Sequence, residues 1–300
     1  MAFISLLKKQ TQNLAPVYFA LVMATGIVSI ACHLLQLEFL SNFFFYLNHL
    51  QYALLLLLLG ARMMVYPRDF TADFTNDSTG PGFLTFVAGS CILGVQYCLL
   101  KQVYLPAIIF LIIGLVAWII IVYAFLLMMI TKAYKPNLEN GLNGGWLLLV
   151  VSTQSLSILG TLLSNNLVIS PVVTLFLTLA AYLLGIFFYL LLIPLIFLRL
   201  TFNPIKAKEF TPPYWVLMGA AAITTLSAAT LIQAINKTFL FADLVPVLKA
   251  LSLFTWIVAS WWIPLLIILE LWRHLYKKIP LKYEATYWDT IFYFRNVHRL

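Results

Sequence analysis

Long apolar stretches alternate with short polar segments along the whole chain. The pattern predicts eight apolar spans, each close to or above the roughly 20 residues that an α-helix needs to cross a bilayer. Glycine and proline mark most of the joints between them, because both residues interrupt regular helices. The predicted spans are 14–36, 41–66, 82–100, 104–130, 145–163, 171–200, 214–236 and 243–276.

The residue composition of the spans alternates between odd-numbered and even-numbered spans. The even-numbered spans contain long apolar runs, such as Leu54 to Leu59, Ile108 to Ile130 and Leu183 to Leu198. The odd-numbered spans contain many Gly, Ala, Ser and Thr residues, which are favoured where membrane helices meet other helices or water. The odd spans begin near residues 14, 82, 145 and 213, at intervals of 63 to 68 residues, and such a period indicates a repeated unit. We therefore predict an all-α integral membrane protein, a single transmembrane domain over residues 1–300. Its helical hairpins lie at about 14–66, 82–130, 145–200 and 214–276, with each odd helix inside and each even helix facing lipid.

Hydroxyl and amide side chains in the middle of the odd spans are the best candidates for a functional site. Neutral donors around a path suit a partly hydrated anion, because they stabilise its charge without trapping it. The alternative is that each residue only makes a hydrogen bond between helices. The candidates for pore lining are Thr25, Ser29, Ser90, Ser152, Gln154, Ser155, Thr224 and Ser227.

The chain has a formal net charge of +8, and its Lys and Arg residues are concentrated in alternate loops. Thirteen Lys and Arg residues lie in alternate segments that include the N-terminus, and three lie in or near the other loops. Positive charges favour the cytoplasmic side of a membrane, so the N-terminus is predicted to be cytoplasmic. This bias accounts for the basic charge without any partner nucleic acid.

Other kinds of site have little support. Asp69, Asp73 and Asp77 are four residues apart and could hold Mg²⁺ against a diphosphate, as in a prenyl-transfer enzyme, but no second acidic cluster accompanies them. We interpret them as loop residues. Glu270, beside Arg273 and His274, is interpreted as part of an interfacial ion pair. Zinc, nucleophile and phosphate-loop motifs were not found, so no metal, cofactor or catalytic residue is predicted.

Four segments resemble the tellurite-resistance/dicarboxylate transporter family, which includes the bacterial tellurite-resistance channel, fungal malate and sulfite transporters and plant slow anion channels. They are Ala15–Gly26 (APVYFALVMATG), Asn143–Ser155 (NGGWLLLVVSTQS), Trp261–Leu266 with Trp272–His274, and Tyr287–Phe292 (YWDTIF). The resemblance implies ten helices in five hairpins, an inner ring of odd helices around a central pore, and often three subunits. It also implies a gating phenylalanine on the ninth helix, which Phe292 matches.

The last predicted hairpin, at about 284–300, is incomplete, because 13 residues from Trp288 to Leu300 give only about 20 Å of helix. We expect a passive or secondary transporter or channel for small anions, either C4-dicarboxylates or oxyanions such as tellurite and sulfite, in a bacterial cytoplasmic membrane. The alternatives left open are a truncated remnant or regulatory subunit of such a transporter and, less favoured, the prenyl-transfer enzyme.

Overall fold

The computed structural model describes residues 11–238 and 240–280, and this part of the chain is a bundle of α-helices. Eight of its helices are long and apolar enough to cross a membrane. The predicted spans are confirmed to within a few residues at each end. The helices are α1 (Pro16–Leu34), α2 (Glu38–Val65), α3 (Gly80–Lys101), α4 (Tyr104–Thr131), α5 (Gly144–Leu162), α6 (Pro171–Phe202), α7 (Pro212–Thr238) and α8 (Ala242–Tyr276).

The predicted alternation of inner and outer helices is also confirmed. In the most apolar window of each odd helix 72–89% of residues are buried, whereas the corresponding fraction in the even helices is 17–28%. Helix α1 packs against α3, α3 against α5 and α5 against α7, and each even helix packs outside the odd helix of its own hairpin. The odd helices therefore form a shared interior, and the even helices present Leu, Ile and Phe side chains outward.

Each inner helix begins with a four-residue 3₁₀ turn that contains Pro or Gly. Each turn also holds at least one aromatic residue in its last two positions. Proline suits a first helical turn because its missing N–H would have no partner there. These turns recur once per hairpin and show that the repeat extends to local backbone structure: Pro16–Phe19, Gly80–Phe83, Gly144–Leu147 and Pro212–Trp215.

The first turns of α5 and α7 approach each other closely at Gly144. A Cβ atom added to Gly144 would overlap the backbone of Pro213 and Tyr214. Because backbone cannot rotate away, we expect Gly144→Ala to destabilise the protein by about 3 kcal/mol, the upper end for overpacking. The expected fall in the thermal unfolding midpoint in detergent is about 10 °C.

Gly60 of α2 provides the matched control for this substitution. No atom lies within 4 Å of a Cβ added there, so Gly60→Ala should leave the midpoint unchanged or raise it slightly. Equal midpoints for the two variants would contradict the close contact between α5 and α7.

Basic side chains at the ends of three outer helices hold the segments that precede inner helices. Arg62 donates to the Leu14 carbonyl and to Asp73, both at 2.5 Å, and Lys132 binds Asp77 at 2.9 Å. The Arg199 guanidinium donates twice to the Glu139 carbonyl, at 3.0 and 2.6 Å. Some of the loop charge that indicated orientation therefore also fastens α1, α3 and α5 to the outer helices of their own hairpins, and the Arg62–Asp73 pair links α2 to the segment before α3.

Candidate functional site

A cavity of about 260 Å³ lies between the four inner helices. Every inner helix contributes to its wall, and all of the lining residues except Ile223, just before the middle of α7, lie in the second halves of these helices. The cavity therefore occupies the half of the bundle in which the inner helices end. The lining residues are Ile27, Ile30, Ala31 and Leu34 of α1; Cys91, Ile92, Val95 and Leu99 of α3; Ser155, Ile158 and Leu162 of α5; and Ile223, Leu226, Ala229, Thr230 and Gln233 of α7.

The wall of this cavity is mostly apolar, with three neutral polar side chains. Ser155 lies on α5, and Thr230 and Gln233 lie near the end of α7. None of the lining residues in the described part of the chain is Asp, Glu, Lys or Arg. A solute in the cavity would therefore meet a weakly polar surface without a fixed charge.

The other half of the bundle interior is filled by close-packed side chains. Met23, Val87, Val151 and Ala221, one from each inner helix, have no exposed surface. Protein interiors of this kind are packed as densely as organic crystals. Among the described residues, the interior thus consists of a cavity in one half and a packed, mostly apolar layer in the other.

The structure places one of the eight predicted pore-lining residues, Ser155, on the cavity wall. Its hydroxyl group donates to the Val151 carbonyl one turn earlier, at 2.8 Å. Ser152 and Thr224 also donate to their own helices, and Thr25 is buried. These hydroxyl oxygens keep the capacity to accept further hydrogen bonds.

The remaining four predicted residues make contacts between helices. Ser29 of α1 and Ser41 of α2 donate to each other's carbonyl oxygens at 2.8 and 3.0 Å. Ser90 of α3 shares a hydrogen bond of 2.8 Å with Tyr52 of α2. These two pairs show α2 bonded both to its own inner helix and to the next one.

The same arrangement continues in the second half of the chain. Gln154 of α5 donates to the Tyr182 carbonyl of α6 at 3.1 Å. Ser227 of α7 donates to Ser157 of α5 at 3.0 Å, and Ser157 donates to the Thr178 carbonyl of α6 at 2.8 Å. In the described conformation, all four of these side chains form hydrogen bonds between helices. That they are also exposed to a solute path stays a prediction.

Sequence reasoning did not select Thr230 and Gln233 as site residues. Both lie near the end of α7, beyond the mid-membrane cluster on which the prediction concentrated. Their three-residue spacing places them on one face of the helix. This spacing is the sequence feature that could have identified them as residues facing a common space. The apolar lining residues had no comparable signal, because an Ile on a cavity wall and an Ile in a core look alike in sequence.

Of the three aspartates interpreted as loop residues, Asp69 and Asp73 lie in a short helix, Pro67–Phe74, between α2 and α3, and each of the three has a separate partner. Asp69 accepts from Gln12 at 2.9 Å, Asp73 binds Arg62 and Asp77 binds Lys132. Their carboxylates are thus used to hold loops and helix ends together. Phe292, the predicted gate, lies outside the described residues, as does the predicted segment 284–300.

Known proteins of an anion channel family and two transporters match most of the length of this chain. Residues 13–292 match the family described as voltage-dependent anion channel. Two uncharacterized transporters of Methanocaldococcus jannaschii are 24% and 22% identical over 291 residues, which cover 94% of this chain and 82% and 80% of theirs.

A shorter and closer match is an uncharacterized membrane protein of Mycobacterium tuberculosis, 36% identical over 106 residues. The match covers 35% of this chain and 53% of that relative, so the chain spans about half of its length. On the match over residues 13–292, the chain belongs to the voltage-dependent anion channel family, the family of anion channels and transporters that its helix motifs resemble.

Proposed function

We propose that this protein conducts small anions across a membrane through the space between its four inner helices. The observation that carries the proposal is the cavity of about 260 Å³, to which all four inner helices contribute. A path shared by repeated hairpins requires such a place, because only there do the repeats face one common space. Membership of an anion channel and transporter family supports the same function.

The chemistry of the cavity wall fits an anion that binds weakly. An Arg or Lys side chain in the cavity would hold an anion strongly and slow its release, whereas hydroxyl and amide groups give modest stabilisation. Gln233 supplies an amide donor, and the hydroxyl groups of Ser155 and Thr230, which donate to the Val151 and Leu226 carbonyls in this conformation, become donors to an anion on rotating away from their helices. Because the rest of the wall is apolar, we expect anions that lose part of their hydration easily to be favoured.

The packed apolar layer next to the cavity serves as the closed gate in this proposal. An ion cannot cross a layer in which Met23, Val87 and Val151 have no exposed surface, so conduction requires these side chains to separate. Hydrophobic constrictions gate by excluding water as well as ions. The hydroxyl groups of Ser152 and Thr224, on the same two helices as the cavity's polar residues, would then be able to rotate from the Leu149 and Ala220 carbonyls toward an anion.

Several finer features belong to the same proposal. The substrates are C4-dicarboxylates such as malate or inorganic oxyanions such as tellurite and sulfite, carried passively or by secondary transport. The protein lies in a bacterial cytoplasmic membrane with a cytoplasmic N-terminus, as the loop charges favour. The family resemblance supports a trimer, whose subunits would meet through outer helices.

Flux measurements in liposomes test this function directly. The purified 300-residue chain is reconstituted, and uptake of chloride, malate, sulfite and tellurite is measured separately against protein-free liposomes and against potassium flux. We expect one or more of the anions to cross at least tenfold faster than potassium, because neutral donors stabilise negative charge. Equal rates for anions and potassium would contradict an anion-selective path, and no flux would favour the regulatory-subunit alternative.

A further inference from the structure

A second cavity, of about 400 Å³, lies outside the inner ring between α6 and α8. Its residues come from the last turns of α6, the loop that follows, and the second half of α8. The cavity is therefore at the end of the bundle where the outer helices finish, which the loop charges place on the cytoplasmic side. We call it the α6–α8 groove, and it is lined by Phe197, Leu200, Thr201, Ile205, Phe210, Trp262, Leu265, Ile268, Leu269 and Trp272.

The walls of the α6–α8 groove suit a hydrocarbon chain. Thr201 is the single hydroxyl-bearing residue among the lining residues, and its proton is already donated to the Phe197 carbonyl at 2.8 Å. Trp262 is buried and packs edge-on against Phe197, so the groove has a rigid aromatic floor. Such a surface offers dispersion contacts to an acyl chain and no competing polar partner.

Two lysine residues lie next to lining residues at the end of the groove nearest the membrane surface. The Lys277 ammonium group lies 5.9 Å from the ring of Trp272, which lines the groove. Lys206 directly follows the lining residue Ile205, and its side chain is 82% exposed, with Glu209 at 3.5 Å. Lys208 and Lys278 are further basic residues in the segments that follow α6 and α8.

The other nearby carboxylate is occupied within the protein. Glu270 accepts from the Trp215 indole N–H at 3.1 Å and contacts His274 at 3.1 Å. The Glu270 contacts join α8 to the first turn of α7, one of the inner helices. An occupant that packs against Leu269 and Trp272 would therefore support the same region of α8 that holds α7.

We propose that the α6–α8 groove binds an anionic phospholipid of the membrane. One acyl chain lies against Trp262 and Leu265, and the phosphate group lies at Lys206 and Lys277. Basic pockets between membrane helices on the cytoplasmic side are suited to anionic headgroups, and the long lysine side chains reach the interface from either side. The proposal rests on the charge and shape of the groove and does not depend on which solute the inner cavity carries.

Native mass spectrometry of the full chain in detergent tests the site with two defined lipids, phosphatidylglycerol and phosphatidylcholine, which share acyl chains and differ in net charge. Phosphatidylglycerol is expected to bind more tightly. The double substitution Lys206→Gln and Lys277→Gln should lower its affinity by about thirtyfold, at about 1 kcal/mol for each lysine. The matched control, Lys237→Gln with Lys249→Gln, removes two exposed lysines at the other end of the bundle and should leave the affinity unchanged.

A second pair of variants tests the acyl-chain position. Leu265→Trp fills the groove and should reduce binding of both lipids, whereas Ile267→Trp, on the exposed face of the same helix, should not. Equal binding of the two lipids, or equal loss in the lysine variants and their control, would overturn the proposal. Dissociation of an oligomer on Leu265→Trp, with lipid binding unchanged, would show that a second copy occupies the groove and would overturn it as well.

Discussion

Replacing Ser155 by aspartate should reduce anion flux by on the order of a hundredfold. Ser155 is the predicted pore residue that the structure places on the cavity wall, and its side chain is almost completely buried. A carboxylate there would face any anion that enters the cavity. At a separation of about 5 Å and an effective dielectric constant of about 20, two like charges repel by about 3 kcal/mol, which corresponds to a factor of roughly a hundred.

The matched control is Ser155→Asn, which has nearly the shape of aspartate but no charge. Flux through this variant should stay within a few-fold of the unsubstituted protein, because an amide can donate to an anion as a hydroxyl group does. Both variants are measured at pH 8, so that the aspartate is ionised. Their elution profile and unfolding midpoint in detergent establish that both are folded.

The comparison between these two variants separates charge from size. If Asp and Asn reduce flux equally, steric obstruction explains the result and the charge argument fails. If neither reduces flux, the anions do not pass Ser155, and the inner cavity is not on the path.

The positions of the helices could be predicted from the sequence because length and hydropathy determine them almost alone. The span predicted at 171–200, for example, is observed at Pro171–Phe202, and its beginning coincides with a proline. Inner and outer helices could also be distinguished, since helices that face lipid have no use for small polar side chains. The four 3₁₀ turns were not predicted, because their sequences share a composition of Pro, Gly and aromatic residues and no fixed motif.

The sequence of an inner helix does not reveal the direction in which each of its polar side chains points. Thr153, Gln154 and Ser155 are consecutive in α5, and successive residues in a helix are about 100° apart. Thr153 accepts from Trp118 of α4, Gln154 donates to α6 and Ser155 faces the cavity. A cluster of neighbouring polar residues therefore cannot all line one path, and an inner helix that is buried on every side has no exposed face to reveal which of them does.

The cavity itself was beyond sequence reasoning for a further reason. Its wall is mostly Ile, Leu, Ala and Val, and only packing between helices determines whether such side chains enclose a space or fill it. The sequence did indicate that neutral groups would be used, and Ser155, Thr230 and Gln233 are of that kind.

Thiol modification of Thr230→Cys during a flux measurement tests the central claim, that anions pass between the inner helices. Cys32, Cys91 and Cys98 are first replaced by alanine, and the background must retain flux. A negatively charged, membrane-impermeant methanethiosulfonate reagent is then added from one side of the liposomes, and mass spectrometry measures the labelled fraction. Ile119→Cys, on the exposed face of α4, is the matched control.

Thr230 lines the cavity, so a reagent on the accessible side should reach a cysteine at this position and leave a fixed negative charge in the path. We expect anion flux to fall at least about tenfold on labelling, because the attached charge repels the permeating ion. Ile119→Cys should remain unlabelled and conduct normally under the same treatment, because its side chain faces lipid, which the charged reagent does not enter. Complete labelling of Thr230→Cys with undiminished anion flux would contradict a path between the inner helices.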